Sequence, residues 1–273
     1  MPQIKRILFP VDFSDSCLGL ARYVVCFAGQ FEAEIMLLHA VTMGEHNLAE
    51  ELLPGRQMQL DAFLASELKY FTTHRVCVTG DPPSAIAERA RSWNPDLVMM
   101  PTHGLGYFRR HLLGSVTAKA LHDLQCPVWT SVHAETAPAL EDIHCRRILC
   151  AVDLSERSGS ILEWAAWLAG EHQAGLGIVH ARASSEWYPG EELQRYVSEQ
   201  AQRAIDALQA QARTASRVFI NPGDPAKVIA DAVRDFGADL LVIGRHDRAG
   251  IAGYLLQNAF AILSESPCPV VSI

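Results

Sequence analysis

The chain has 273 residues, 49% of them hydrophobic and 20% charged, with a formal net charge of −8. That composition is ordinary for a soluble α/β protein, and its acidic balance argues against a nucleic-acid partner, which needs a basic face. No apolar run reaches the ~18–20 residues that a membrane span requires. Seven cysteines without a CxxC or paired spacing fit a reducing compartment, and Cys17, Cys26, Cys126 and Cys268, in apolar surroundings, read as small core residues. With no signal peptide at the N-terminus, a cytoplasmic location is expected.

In chain order, the first element is a short hydrophobic run, Ile7–Val11, suited to a strand buried on both faces. Asp12-Phe13-Ser14 follows, with Ser14 or Asp15 able to cap a helix that stops at Ala28-Gly29. A second strand spans Glu34–Val41, then a helix leads to a third strand, Arg75–Thr79. Gly80-Asp81-Pro82 opens the next helix, with aspartate as cap and proline in the first turn. A fourth strand covers Leu97–Met100, and after a loop and a last helix Val128–Val132 makes a fifth. Residues 133–145 are polar, and 134–145 read as a linker.

The chain then repeats itself. Residues 5–41 align without a gap on 146–182, with 11 identities in 37 positions. The correspondence continues: strands Ile148–Val152, Leu176–Arg182, Arg217–Asn221, Leu240–Ile243 and Val270–Ile273, with Ser155 as cap, Gly170 as helix stop and a long helix over Glu191–Arg213. A period near 140 residues signals a duplicated domain rather than a solenoid. Domains are therefore expected at 1–133 and 146–273, each long enough to bury a core of its own. Alternating strands and helices imply right-handed crossovers, and so two tandem, doubly wound, five-stranded parallel sheets.

Ligands of such sheets sit beyond the carboxyl ends of the strands, where the winding reverses. In the first copy, Pro10-Val11-Asp12, Val41 and the stretch 101–117 meet there. Strand four runs into Pro101-Thr102-His103-Gly104, and Gly114-Ser115-Val116-Thr117 opens the last helix. Unpaired N–H groups and the dipole at that helix start suit a phosphate. Ser115 and Thr117 add hydroxyls for phosphate oxygens or a phosphate-bound Mg²⁺. Asp12 can accept from an adenine amino group or a ribose hydroxyl. Arg109 and Arg110 lie within the loop, leaning toward phosphate or simply solvated.

These residues resemble the universal stress protein (UspA) family in its tandem form, over essentially the whole chain. The resemblance rests on Pro10-Val11-Asp12, His39-Ala40-Val41 and Thr102-His103-Gly104…Leu113-Gly114-Ser115-Val116. ATP-binding members of that family carry a glycine, two residues, a glycine, nine residues, then glycine and Ser/Thr. This chain matches at Gly104, across the nine-residue gap, and at Gly114-Ser115; Pro101 stands where the first glycine belongs. The resemblance implies a Rossmann-like fold of the adenine nucleotide alpha hydrolase type. It also implies an ATP site, with or without Mg²⁺, in which Pro10, Val11, Asp12, Val41, Met100 and Thr102 surround adenine and ribose. His103, Gly104, Gly114, Ser115, Val116 and Thr117 then surround the phosphates. Pairing of the final strands, with each other or across a homodimer, is implied as well.

The second copy departs from this pattern. It keeps Gly244, but Asp247 replaces the second glycine and Gln257-Asn258 replaces Gly114-Ser115. Ala151 replaces Pro10 and Arg182 replaces Val41. A carboxylate aimed at phosphate repels it, so this half reads as structural or regulatory, or as holding a different ligand through Arg182 and Arg245. His39 and His180 occupy identical strand ends and read as satisfied structural histidines. No zinc spacing, Walker A sequence or Gly-x-Ser-x-Gly elbow is present. The expected function is an ATP-binding switch or sensor of the stress response, with at most weak hydrolysis, for which Asp12 and His103 are the only candidate bases. The alternatives are a slow ATPase or phosphotransfer protein, and an interaction protein with a vestigial site.

Overall fold

The computed structural model describes residues 2–42, 49–103, 113–182, 190–245 and 254–273. The chain divides into two compact units, Met1–Ile143 and His144–Ile273.

The first unit holds strands β1 (Arg6–Pro10), β2 (Glu34–Val41), β3 (Thr73–Thr79), β4 (Leu97–Met99) and β5 (Val128–Thr130). Helices α1 (Asp15–Phe31), α2 (Ala49–Ala62), α3 (Pro82–Trp93) and α4 (Ser115–Asp123) connect them. The sheet is parallel in the order β3-β2-β1-β4-β5. Its inner strands are apolar because both faces are covered: Ile7, Leu8, Phe9, Leu97, Val98 and Met99 are completely buried. Each such side chain contributes roughly 1.5–3 kcal/mol through its removal from water. The winding reverses between β1 and β4, which puts the ligand position of this topology over their carboxyl ends.

The second unit repeats the plan with β6 (Arg147–Ala151), β7 (Gly175–Arg182), β8 (Arg217–Pro222), β9 (Leu240–Ile243) and β10 (Val270–Ser272). Its sheet is parallel in the order β8-β7-β6-β9-β10. The helices are α5 (Ser158–His172), α6 (Glu191–Ala212), α7 (Pro225–Phe236) and α8 (Tyr254–Glu265). Both copies tie down the first strand in the same way. Asp96 Oδ2 accepts from the Lys5 and Arg6 N–H groups, and Asp239 Oδ2 from those of Arg146 and Arg147.

Local chemistry explains the helix starts. Ser14 caps α1 by accepting from the Cys17 N–H, while Asp81 and Asp224 cap α3 and α7 with proline in the first turn. The glycines before those aspartates have φ of 141° and 138°, a region closed to most side chains.

Three expectations need correction. Gly29 and Gly170 do not stop their helices: α1 runs on to the buried Phe31 and α5 to His172. Left-handed Glu32 and Gln173 then cap them, with Ala33 and Ala174 bonding back to Ala28 and Ala169. Ser155 does not cap α5: a turn closed by the Ser158 N–H on the Ser155 carbonyl intervenes, so the helix starts at Ser158 and its cap position is Arg157. Finally, part of the stretch expected as a linker folds onto the first unit as two short 3₁₀ turns, Ala134–Thr136 and Leu140–Asp142. Ala134 and Ala137 are buried there, which a free tether would not require.

Candidate functional site

A cavity of about 150 Å³ opens at the carboxyl edge of the first sheet. Its lining includes Pro10, Val11 and Asp12 after β1, Leu38, His39 and Ala40 of β2, Met100 and Pro101 after β4, and Val116 and Thr117 of α4. Cys17, Pro82 and Ile86 complete it from α1 and α3. Its walls are mostly apolar around the one carboxylate of Asp12, which suits a flat heterocycle with polar edges.

Asp12 is held firmly. Its Oδ1 accepts from the Ser14 N–H at 3.0 Å and from Cys17 Sγ at 3.1 Å. This short turn keeps Phe13 in the left-handed region at φ 64°, a cost of about 1–2 kcal/mol for a residue with a Cβ. The Phe13 ring is braced at 4.5 Å from the His39 ring and at 5.3 Å from Phe63. The second copy repeats the device: Leu154 has φ 62°, and Asp153 Oδ1 accepts from the Ser155 N–H and from Ser158 Oγ at 3.0 Å. Burial raises the Asp153 pKa, but the Ser155 and Ser158 hydrogen bonds outweigh it and the net shift is downward. Cys17 moves the other way. Burial, then the neighbouring Asp12 charge, push its thiol up to about 12.

At the opposite wall, the Gly114 N–H donates to the Thr102 carbonyl at 2.7 Å and Ala118 N–H to the Gly114 carbonyl. The N–H groups of Ser115, Val116 and Thr117 have no hydrogen-bond acceptor among the described residues, as expected for the first turn of a helix. Gly114 has an ordinary extended φ of −63°. Its requirement is space, since a Cβ there would lie 3.1 Å from the Thr102 oxygen and 3.4 Å from the His103 Cα.

The anticipated residues separate into groups. Pro10, Val11, Asp12, Met100, Val116 and Thr117 converge on the cavity. Val41 is buried at the end of β2, and its carbonyl accepts from the Gly80 N–H. Thr102 and Thr117 are buried, and their hydroxyls donate to the carbonyls of Ser131 and Pro101. The Pro101 carbonyl thus anchors α4. Gly114 and Ser115 start that helix. His103 Nδ1 lies 3.1 Å from Thr102 Oγ1. Gly104, Arg109 and Arg110 lie outside the described residues.

Cys17, Pro82, Ile86 and His39 were not anticipated as lining. The Cys17 alignment with Ser158 was the available signal. His39 serves both roles, since its Nδ1 lies 2.8 Å from the Val11 carbonyl while the ring faces the cavity. His180 makes the matching contact with Val152 at 2.9 Å.

In the second copy, Arg182 is 9% exposed, and its Nε and Nη1 have no hydrogen-bond partner among the described residues. The Arg245 carbonyl accepts from Arg157 Nη1 at 2.6 Å, and its N–H donates to the Ile273 carbonyl. His246, Asp247 and the side chains of Gln257 and Asn258 lie outside the described residues. No helix among those described is long and apolar enough to cross a membrane.

The duplicated doubly wound sheet, with a cavity over the strand ends of one copy, belongs to the α/β proteins that take ligands at that edge. A profile of the universal stress protein family matches residues 3–131 and again 144–273, so the chain belongs to that family. A universal stress protein of Methanocaldococcus jannaschii is 30% identical over 135 residues, covering 45% of this chain and 79% of that protein. A universal stress protein A homolog of Coxiella burnetii is 29% identical over 140 residues, 48% of this chain and 97% of its own. The crystal structure of a universal stress protein from Archaeoglobus fulgidus superposes with a TM-score of 0.73, at 20% identity, over 99% of this chain and 96% of that one. That likeness establishes the tandem fold.

Proposed function

We propose that the N-terminal unit binds ATP and serves as a nucleotide-loaded switch in the stress response, with little or no turnover. The observation that carries this reading is a pairing of two surfaces across one cavity. On one side stands the braced carboxylate of Asp12 within apolar walls. On the other stands the α4 start, with three N–H groups lacking acceptors among the described residues. Adenine and ribose fit the first, and phosphate fits the second. Within this reading Asp12 accepts from the base or the ribose, while Ile86, Met100 and Val116 contact the ring.

The fit also limits the assignment. The Thr117 hydroxyl already donates to Pro101, so its N–H rather than its oxygen faces phosphate, and Ser115 supplies the exposed hydroxyl. Mg²⁺ enters, if at all, on the phosphates themselves. Low turnover agrees with Asp12, whose Oδ1 is occupied as a structural acceptor.

Titration calorimetry of the full chain with ATP tests the proposal. Asp12→Ala is expected to weaken binding by about tenfold or more, the scale of a hydrogen bond to a charged group. Asp153→Ala is expected to leave binding unchanged. Equal losses from both substitutions, or no binding by the wild-type chain, would overturn the assignment.

A further inference from the structure

One acidic side chain reaches the N-terminal site from an unexpected part of the chain. The turn Ala134–Thr136 lies on α1 along a line of three residues one helical turn apart, Ser16, Gly19 and Arg22. Ser16 Oγ donates to Glu135 Oε1 at 3.0 Å, and Arg22 Nη1 donates to the carbonyls of Ala137 and Pro138 at 2.5 and 3.1 Å. Between them Gly19 allows the Ala134 carbonyl to lie directly against the helix, in the space any Cβ would fill. The second copy has Arg157, Ser160 and Glu163 at these three positions, so none of the three groups that seat the turn is repeated.

The seated turn brings Glu135 Oε1 within 4.0 Å of His103 Nε2. The backbone of His103 abuts the start of α4, its Cα 3.4 Å from where a Cβ on Gly114 would lie, and its other ring nitrogen faces Thr102 Oγ1. The proton of that hydroxyl is directed to the Ser131 carbonyl at 3.1 Å, so the hydroxyl accepts and His103 Nδ1 donates. Nε2 faces the carboxylate, and with Nδ1 already donating it can donate to Glu135 only as an imidazolium. His103 thus meets Glu135 through its ring and the helix start where phosphate is proposed to bind through its backbone.

We infer that Glu135 is a positioning residue of the N-terminal site. It holds the His103 ring, and through it the His103 backbone beside the α4 start, so that bound phosphate and the seating of residues 134–142 on α1 strengthen each other. This rests on the nucleotide reading above. The coupling is reciprocal by linkage: whatever the seated turn adds to ATP affinity, ATP adds to the seating.

The roles Glu135 can have differ in sign. A carboxylate acting only by its charge would repel phosphate, and Glu135→Gln would tighten ATP binding. A purely structural residue would leave binding unchanged. Positioning through His103 predicts that Glu135→Gln weakens ATP binding by about fivefold or more, although glutamine keeps an acceptor for Ser16. His103→Gln should weaken it similarly, and the double variant should add little, because neighbours acting as a unit are not additive.

The measurement pairs calorimetry with amide hydrogen exchange over residues 134–142. In the wild-type chain, saturating ATP is expected to slow that exchange. In Arg22→Ala, which loosens the turn without touching the cavity, both the ATP affinity and the ATP-induced slowing should fall. Tighter or unchanged binding by Glu135→Gln, or exchange indifferent to ATP, overturns the inference while leaving ATP binding intact. A wild-type chain that takes no ATP overturns the nucleotide reading itself.

Discussion

The two copies share a braced carboxylate turn and differ at the end of the neighbouring strand. Asp12 and Asp153 are each held by the backbone N–H two residues on and by a hydrogen-bonding side chain five residues on, Cys17 or Ser158. Beside them β2 ends on buried Val41, whereas β7 ends on buried Arg182 with two guanidinium nitrogens unpaired among the described residues. The shared device is a property of the fold. The strand-end difference separates a buried apolar side chain from a buried cation.

The largest expected effect comes from exchanging those strand ends. Val41→Arg places a charge at a buried position and should cost roughly 3–5 kcal/mol. Arg182→Val should be neutral or stabilising by up to about 4 kcal/mol, since a well-packed apolar side chain replaces a desolvated cation. Urea denaturation of both variants checks the pair, and destabilisation by Arg182→Val would show that an anion partners Arg182 in the protein in solution.

A smaller effect is spread over both copies. Burial pushes the thiols of Cys17, Cys150 and Cys268 up to about 12, with the Asp12 charge contributing at Cys17. These groups stay protonated in the folded chain while the unfolded chain ionises above its ordinary value near 9. Their contribution is therefore complete below pH 9 and is lost as pH rises from 9 toward 12. Each thiol should lower stability by about 1 kcal/mol between pH 9 and 10. The same burial should block their alkylation until the chain unfolds. Rapid labelling of Cys17 in the native protein would contradict the closed wall of the cavity.

The smallest expected effect sharpens what the copies have in common. Cys17→Ser should change stability by less than about 1 kcal/mol, because serine makes the same bond to the carboxylate in the second copy. Cys17→Ala removes the donor and should cost about 0.5–1.5 kcal/mol, along with part of the ATP affinity if Asp12 loses its orientation.

Much of this architecture was legible in the residues. Buried apolar runs located all ten strands to within about two residues at each end, and the aspartate caps placed α3 and α7. The carboxyl-edge cavity followed from the alternation of strands and helices. The helix stops were misread because glycine marked a composition signal, whereas the observed ends were set by the burial of Phe31 and by residues able to turn left-handed. In the candidate site, Asp12 and Val116 were readable from the motif. The hydroxyls of Thr102 and Thr117 were not, because their carbonyl partners lie 29 and 16 residues away.

The sequence by itself determined that one domain was used twice, that each is a parallel doubly wound sheet, and that only the first carries a Gly-Ser pair at the start of its last helix. Periodicity, caps and internal comparison carry such information because they depend on neighbours along the chain. Tertiary structure decided which atoms face the cavity, that Arg182 is buried, and that Glu135 reaches both Ser16, across 119 residues, and His103. Those meetings depend on how closely packed elements approach, as at Gly19, and no local pattern encodes that distance.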